Sequence, residues 1–68
     1  MITRIGIIAG DIWNILDEKG EITLSEIYDY LEHPADHILM SIGWLAREGH
    51  IILERTEEDF KVSLRRNI

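Results

Sequence analysis

The stretch from Pro34 to Leu53, PADHILMSIGWLAREGHIIL, constrains this chain more than any other. Apolar residues recur at helical spacing as far as Ala46, Gly49 interrupts them, and the apolar run Ile51-Ile52-Leu53 follows almost at once. Glycine is the usual residue at the left-handed position that ends a helix. A short apolar run behind it reads as a strand. A helix that hands over directly to a strand must bury two differently patterned faces against one core. The chain has only 68 residues for the task, and a chain of that size hides about 60% of the surface its unfolded form exposes. It has no cysteine, so disulfides and thiolate metal clips are excluded. Stability must come from a dense aliphatic core, a partner, or both, and the 46% hydrophobic content makes such a core feasible.

The remaining segments supply supports for that junction. Thr3 to Glu18 has a helical period, with Ile5, Ile8, Ala9, Ile12, Ile15 and Leu16 on one side and Trp13 at its edge. Lys19-Gly20 closes this helix with a cation and a glycine. RIGIIAGD also looks like the first strand of a nucleotide-binding unit. Glycines at 6 and 10 do not make GxGxxG, however, and a doubly wound sheet does not fit in this length. Glu21-Ile22-Thr23 reads as a short extended link. Thr23 and Glu26 then form a capping box ahead of a second helix running to about Glu32. His33-Pro34 ends it, and Pro34 suits the first position of a third helix. On that helix Ala35, Ile38, Leu39, Ile42, Leu45 and Ala46 form the expected inward stripe. Asp36, His37, Met40, Ser41, Gly43, Trp44 and Arg47 are expected to face outward. His50 to Arg55 reads as a strand and Thr56 to Asp59 as a polar turn. Phe60 to Arg65 alternates strictly, which puts Phe60, Val62 and Leu64 inward.

Helix, short strand, helix, turn, helix and hairpin is the order of an α+β winged helix-turn-helix: three helices with a two- or three-stranded antiparallel wing, in a single domain over residues 1–68. Ile12-Trp13 with Leu16, and Ile42-Gly43-Trp44-Leu45-Ala46-Arg47-Glu48-Gly49 entering Ile51, resemble a small stand-alone prokaryotic winged helix-turn-helix family of uncharacterised function. The resemblance spans nearly the whole chain. It implies either DNA binding, with the third helix in the major groove and the wing on the backbone, or binding to protein alone.

Charge weighs on that choice. The net charge is −6. Residues 1–48 set nine carboxylates against Arg4, Lys19 and Arg47, whereas residues 49–68 are neutral, with Lys61, Arg65 and Arg66 near the end. DNA binding needs phosphate neutralisation first and base-edge donors second. The residues available are Ser41 and Arg47 as groove readers, with Lys61, Arg65 and Arg66 on phosphates. Such a chain would be a transcription-regulator-type binder of double-stranded DNA. The alternative is a protein-interaction or dimerisation module. Met40 and Trp44, four apart on the third helix, would then anchor a protein partner. Gly6 and Gly10, which cost the first helix about 1 kcal/mol each against alanine, would be covered by a second copy in a homodimer, with Ile7 and Asn14 just beyond them on that side, or by Trp13 or the wing of the same chain. His33, Asp36 and His37 do not have assured metal-ligand geometry, since His33 precedes proline. The carboxylates are dispersed and no nucleophile setting or phosphate loop is visible. The expectation is therefore no enzyme, no metal, no cofactor and no small-molecule substrate. The longest N-terminal apolar run is too short to span a bilayer, so a cytoplasmic protein is expected.

Overall fold

Helix α1 (Ile2–Lys19) buries Ile8, Ala9, Ile12 and Leu16, the strip that its periodicity selects. It stops at Gly20, whose N–H donates to the Leu16 carbonyl at 2.8 Å. The computed structural model describes residues 1–66; the expected domain runs two residues further, to positions outside the described ones. After α1 come β1 (Ile22–Thr23), α2 (Leu24–Tyr30), α3 (Ala35–Arg47), β2 (Ile51–Arg55) and β3 (Phe60–Leu64).

The capping box forms. The Glu26 N–H donates to Thr23 Oγ1 at 3.2 Å, and the Thr23 N–H donates to Glu26 Oε1 at 3.0 Å. These bonds satisfy two backbone donors at the α2 start that the helix itself leaves unpaired. Helix α2 ends at Tyr30, two residues sooner than its sequence suggests, because Leu31 turns extended and packs against the core. His33 follows, with Nε2 3.1 Å from Asp11 Oδ2, and ties the turn between α2 and α3 to α1. Pro34 caps α3 rather than opening it, its carbonyl accepting from the Ile38 N–H at 3.1 Å.

Helix α3 lies on α1 through Ile38, Ser41, Ile42 and Leu45. Three residues therefore sit differently from the expected pattern. Leu39, expected inside, is 52% exposed, and Ala35, also expected inside, is exposed at the start of the helix. Ser41, expected outside, is fully buried. Its hydroxyl donates to the His37 carbonyl at 2.8 Å, with the Ile5 carbonyl of α1 3.3 Å away. A serine is small enough to let two helices approach there, and its only donor has acceptors, so burial leaves it satisfied.

Beyond α3 the His50 N–H donates to the Leu45 carbonyl at 2.9 Å and the Gly49 N–H to the Ala46 carbonyl at 3.1 Å. This pair of bonds closes the helix only if Gly49 is left-handed, and its φ is 77°. The chain then enters β2. β3 is the centre of an antiparallel sheet ordered β1-β3-β2, with Ile22 and Leu53 both opposite Val62. Val62 is fully buried, while Phe60 and Leu64 are partly buried on the same face, as the alternation requires. Three helices and this three-stranded sheet make a winged helix-turn-helix. One core, built largely of isoleucine and leucine, lies between α1, α2, α3 and the sheet.

The wing turn is held at both ends. Thr56 N–H and Oγ1 both donate to the Asp59 carbonyl at 2.9 Å, and the Phe60 N–H donates to Asp59 Oδ1 at 2.7 Å. A side-chain hydrogen bond from Ser25, at the start of α2, is the largest influence holding the Asp59 carboxyl below its ordinary range; the Phe60 and Ser25 N–H groups and Thr23 add to it. A depressed carboxyl contributes stability above its unfolded-state pKa and loses it as pH falls through the folded value. Asp59→Asn is expected to lower the urea midpoint at pH 7, and the difference from the wild type should close as pH drops from about 5 towards 2. A difference that persists unchanged at pH 2 would remove the electrostatic origin. At Gly49 an added Cβ meets no atom within 4 Å, so only the backbone opposes a side chain. Gly49→Ala should cost about 1–2 kcal/mol in chemical denaturation, and Gly49→Asn less, because asparagine tolerates the left-handed region better.

Candidate functional site

With Ile38, Ser41, Ile42 and Leu45 turned inward, the outward strip of α3 is Asp36, Met40, Gly43 and Arg47, all exposed. Asp36 sits in the first turn, where its Oδ1 accepts from the His37 N–H at 2.9 Å. Arg47 occupies the last turn, where the helix dipole favours a cation. Ser41 is not on this strip, so the expected base reader is a core residue.

The cations of the wing fall into two groups. Lys61, on the outer face of β3, lies 3.5 Å from Glu54 and 3.8 Å from Glu21. Arg66 reaches Asp17 at the end of α1, with its Nη2 2.7 Å from Oδ1. Exposed pairs of this kind are worth about 0–1 kcal/mol. A phosphate can replace the carboxylate, but the carboxylate stays nearby and repels it. Arg47 and Arg65, by contrast, make no ion pair among the described residues. The Arg65 N–H donates to the His50 carbonyl at 2.9 Å, which brings the end of β3 back to the α3–β2 junction. Arg47 stands three residues before that same His50. Arg65 is thereby tied through its backbone to the junction that follows the last turn of α3, the turn that carries Arg47. The wing tip, at the far end of the β2–β3 hairpin, is less favourable to an anion, with Glu57 and Glu58 exposed and Arg55 lying over the Phe60 ring at 5.4 Å.

A second surface lies on the other flank of α3. Trp44, 46% exposed, turns towards α1 rather than the wing strands. With Ile2, Ile5 and Gly6 it lines a groove of about 400 Å³. With Gly6, Gly10, Trp13 and His50 it lines an adjoining depression of about 220 Å³, where the Trp44 and His50 ring centroids are 6.2 Å apart. Gly6, Gly10 and Trp44, separate features in the sequence, therefore share one surface. Met40 stands one turn earlier on α3, also exposed. Neither Trp13 nor the wing fills the space above the glycines, since a Cβ built on either meets nothing within 4 Å. Sequence reasoning missed Ile2, largely exposed on α1; its excess over the buried strip was the available signal. Ile7, expected beside the glycines, is exposed there too. It also missed a small apolar cleft between α3 and the wing, where exposed Leu39 and Leu53 meet Leu24 and Phe60.

Among the described residues no three His, Asp or Glu side chains are grouped to hold a metal, and His33 is engaged with Asp11. No helix among them is long and apolar enough to cross a membrane.

Comparison with known proteins agrees with this architecture. The chain is similar to an uncharacterised protein of Methanocaldococcus jannaschii, MJ1608, at 35% identity over 65 residues, covering 91% of each chain. The solution NMR structure of protein BT2368 from Bacteroides thetaiotaomicron superposes with a TM-score of 0.78 at 26% identity, over 91% of this chain and 76% of that one. The family model described as winged helix-turn-helix domain (DUF2582) matches residues 1–64, and the chain belongs to that family.

Proposed function

We propose that this domain is a non-enzymatic, transcription-regulator-type DNA-binding module that grips duplex DNA by its phosphates. Arg47 and Arg65 at the α3–β2 junction are the principal contacts. The observation that carries this reading is that Arg65 is bonded through its backbone to His50, three residues beyond Arg47, and that neither arginine has a carboxylate partner among the described residues. A winged helix-turn-helix is a scaffold compatible with DNA binding, its third helix lying in the groove. Lys61 and Arg66 contribute less, since each exchanges a carboxylate for a phosphate. Discrimination between sequences is weak, because the outward strip of α3 offers methionine and glycine where side-chain donors would read base edges. Affinity is low, because the protein carries −6 overall.

A second reading has its own support. The exposed Met40 and Trp44 suit a protein contact, and the pairing of Lys61 and Arg66 lowers the charge available for DNA.

Fluorescence anisotropy of a labelled duplex separates the two. Two phosphate contacts per protomer give a log–log salt slope of about −2, so affinity should fall about tenfold between about 50 and about 200 mM salt. Arg47→Ala and Arg65→Ala should each reduce that slope by about one, with a smaller effect from Arg66→Ala. Absence of binding at the lowest salt, where attraction is strongest, would overturn the DNA reading and leave the protein contact.

A further inference from the structure

Gly6 and Gly10 stand one turn apart in the middle of α1, where glycine weakens a helix relative to alanine. Nothing in the chain requires them, because the space a Cβ would occupy is open at both. At 100° per residue Thr3, Ile7, Gly10 and Asn14 fall within an arc of about 60°. All four are exposed, and they lie opposite the buried Ile8, Ala9, Ile12 and Leu16. An isoleucine that is 59% exposed therefore sits at the centre of the solvent side of α1. Between residues 3 and 14 no charged residue falls within this arc, and Asp17 and Glu18 flank it on the last turn. Every other outward surface among the described elements carries charge: Glu26 and Asp29 on α2, Asp36 and Arg47 on α3, and Glu54 and Lys61 on the sheet.

We propose that this strip is the two-fold interface of a homodimer, in which two α1 helices pack antiparallel. Ile7 of each copy seats over Gly10 of the other. Three observations favour a second copy over another occupant. Two copies of an acidic chain repel each other, and the strip is where they can meet without opposing like charges. The strip is also self-complementary. A two-fold axis midway between Ile8 and Ala9 brings Ile7 onto Gly10 and Thr3 onto Asn14, so an apolar knob meets a bare stretch of helix and a hydroxyl meets an amide. A parallel arrangement would set Ile7 on Ile7 and leave the glycine recess empty. Area is the third. The exposed parts of Ile2, Ile7, Trp13 and Trp44, with the open backbone at the glycines, offer about 500–600 Å² per copy, at the lower edge of what a specific interface buries. The groove beside Gly6 and Trp44 receives the flanking side chains of the second helix.

Sedimentation velocity without DNA tests this independently of the nucleic-acid reading. The wild type should sediment at twice its 7.9 kDa at micromolar concentration. Ile7→Glu should give a monomer with unchanged circular dichroism, since the side chain is not in the core. Gly10→Ala should raise the melting temperature of that monomer background while weakening the wild-type dimer at least tenfold, opposite signs that a purely intrachain role cannot produce. Orientation is read by oxidative crosslinking, as the chain has no cysteine of its own. Thr3→Cys with Asn14→Cys should give covalent dimer, whereas Thr3→Cys alone should not; within one helix the two positions are about 16 Å apart and cannot bridge. A monomer at high micromolar concentration, a dimer that survives Ile7→Glu, or efficient crosslinking by Thr3→Cys alone would each overturn the proposal.

Discussion

The contact of α3 with α1, where the Ser41 hydroxyl donates to the His37 carbonyl with the Ile5 carbonyl 3.3 Å away, is the one on which the outer surfaces of this molecule depend. α3 touches α1 along one strip, and a small polar residue at its centre lets the two backbones approach. Once Ser41 faces α1, the helical period leaves no freedom elsewhere. Leu39 rolls out towards the wing, Trp44 rolls out towards Gly6, and Asp36, Met40, Gly43 and Arg47 point to solvent. A larger residue at 41 would separate the helices. An apolar one of similar size would leave the fold its packing but would remove the bond that spans the two helices. The identity of the exposed strip is thus set by the burial of Ile38, Ile42 and Leu45, with Ser41 satisfied among them.

Electrostatics follows from the sheet in a similar way. β3 is the central strand, so Lys61 has neighbours on both sides, and on its outer face each side brings a glutamate. Opposite charges across antiparallel strands stabilise the pairing modestly, and they draw this cation away from any external anion. Arg66 has left the sheet and meets the C-terminal end of α1. Where β3 passes the end of α3, Arg47 and Arg65 have no such partner among the described residues. The wing is thereby stitched to the body at its edges and left open for contact at its root.

Local signals in the sequence were enough for most of the fold. Thr23 with Glu26, Gly49 before an apolar run, and the alternation from Phe60 each specify a structure through atoms a few residues apart, and each forms as read. The third strand at Ile22 was marked only by its position between two helices, and pairing with Val62 defines it. What escaped were properties decided across the molecule. Hydropathy alone puts leucine inside and serine outside, and it cannot see the Ile5 carbonyl that reverses the order at 39 and 41. Lys61 and Arg66 read as free cations because Glu21 and Asp17 are remote in sequence. Arg47 and Arg65 looked unrelated until one backbone bond, from Arg65 to His50, brought them to the same junction. The candidate site was legible as a set of residue types, and its membership was fixed only by packing.

Because α1 and α3 bury their inner strips against each other, their outer strips point to opposite sides of the molecule. A second copy held on α1 therefore leaves Met40, Arg47 and the root of the wing uncovered. That separation bears on how an acidic protein can meet a polyanion at all. The Debye length at physiological ionic strength is about 8 Å, while the molecule measures 29 × 28 × 21 Å. Carboxylates on the far side of α1 and on α2 are screened from the junction, whereas Glu48, adjacent to Arg47, is not. The local balance at the junction, more than the net charge, decides whether a phosphate settles there. A second copy seated on α1 would duplicate that junction without adding a carboxylate beside it, so that two weak grips would act on one duplex at a fixed spacing.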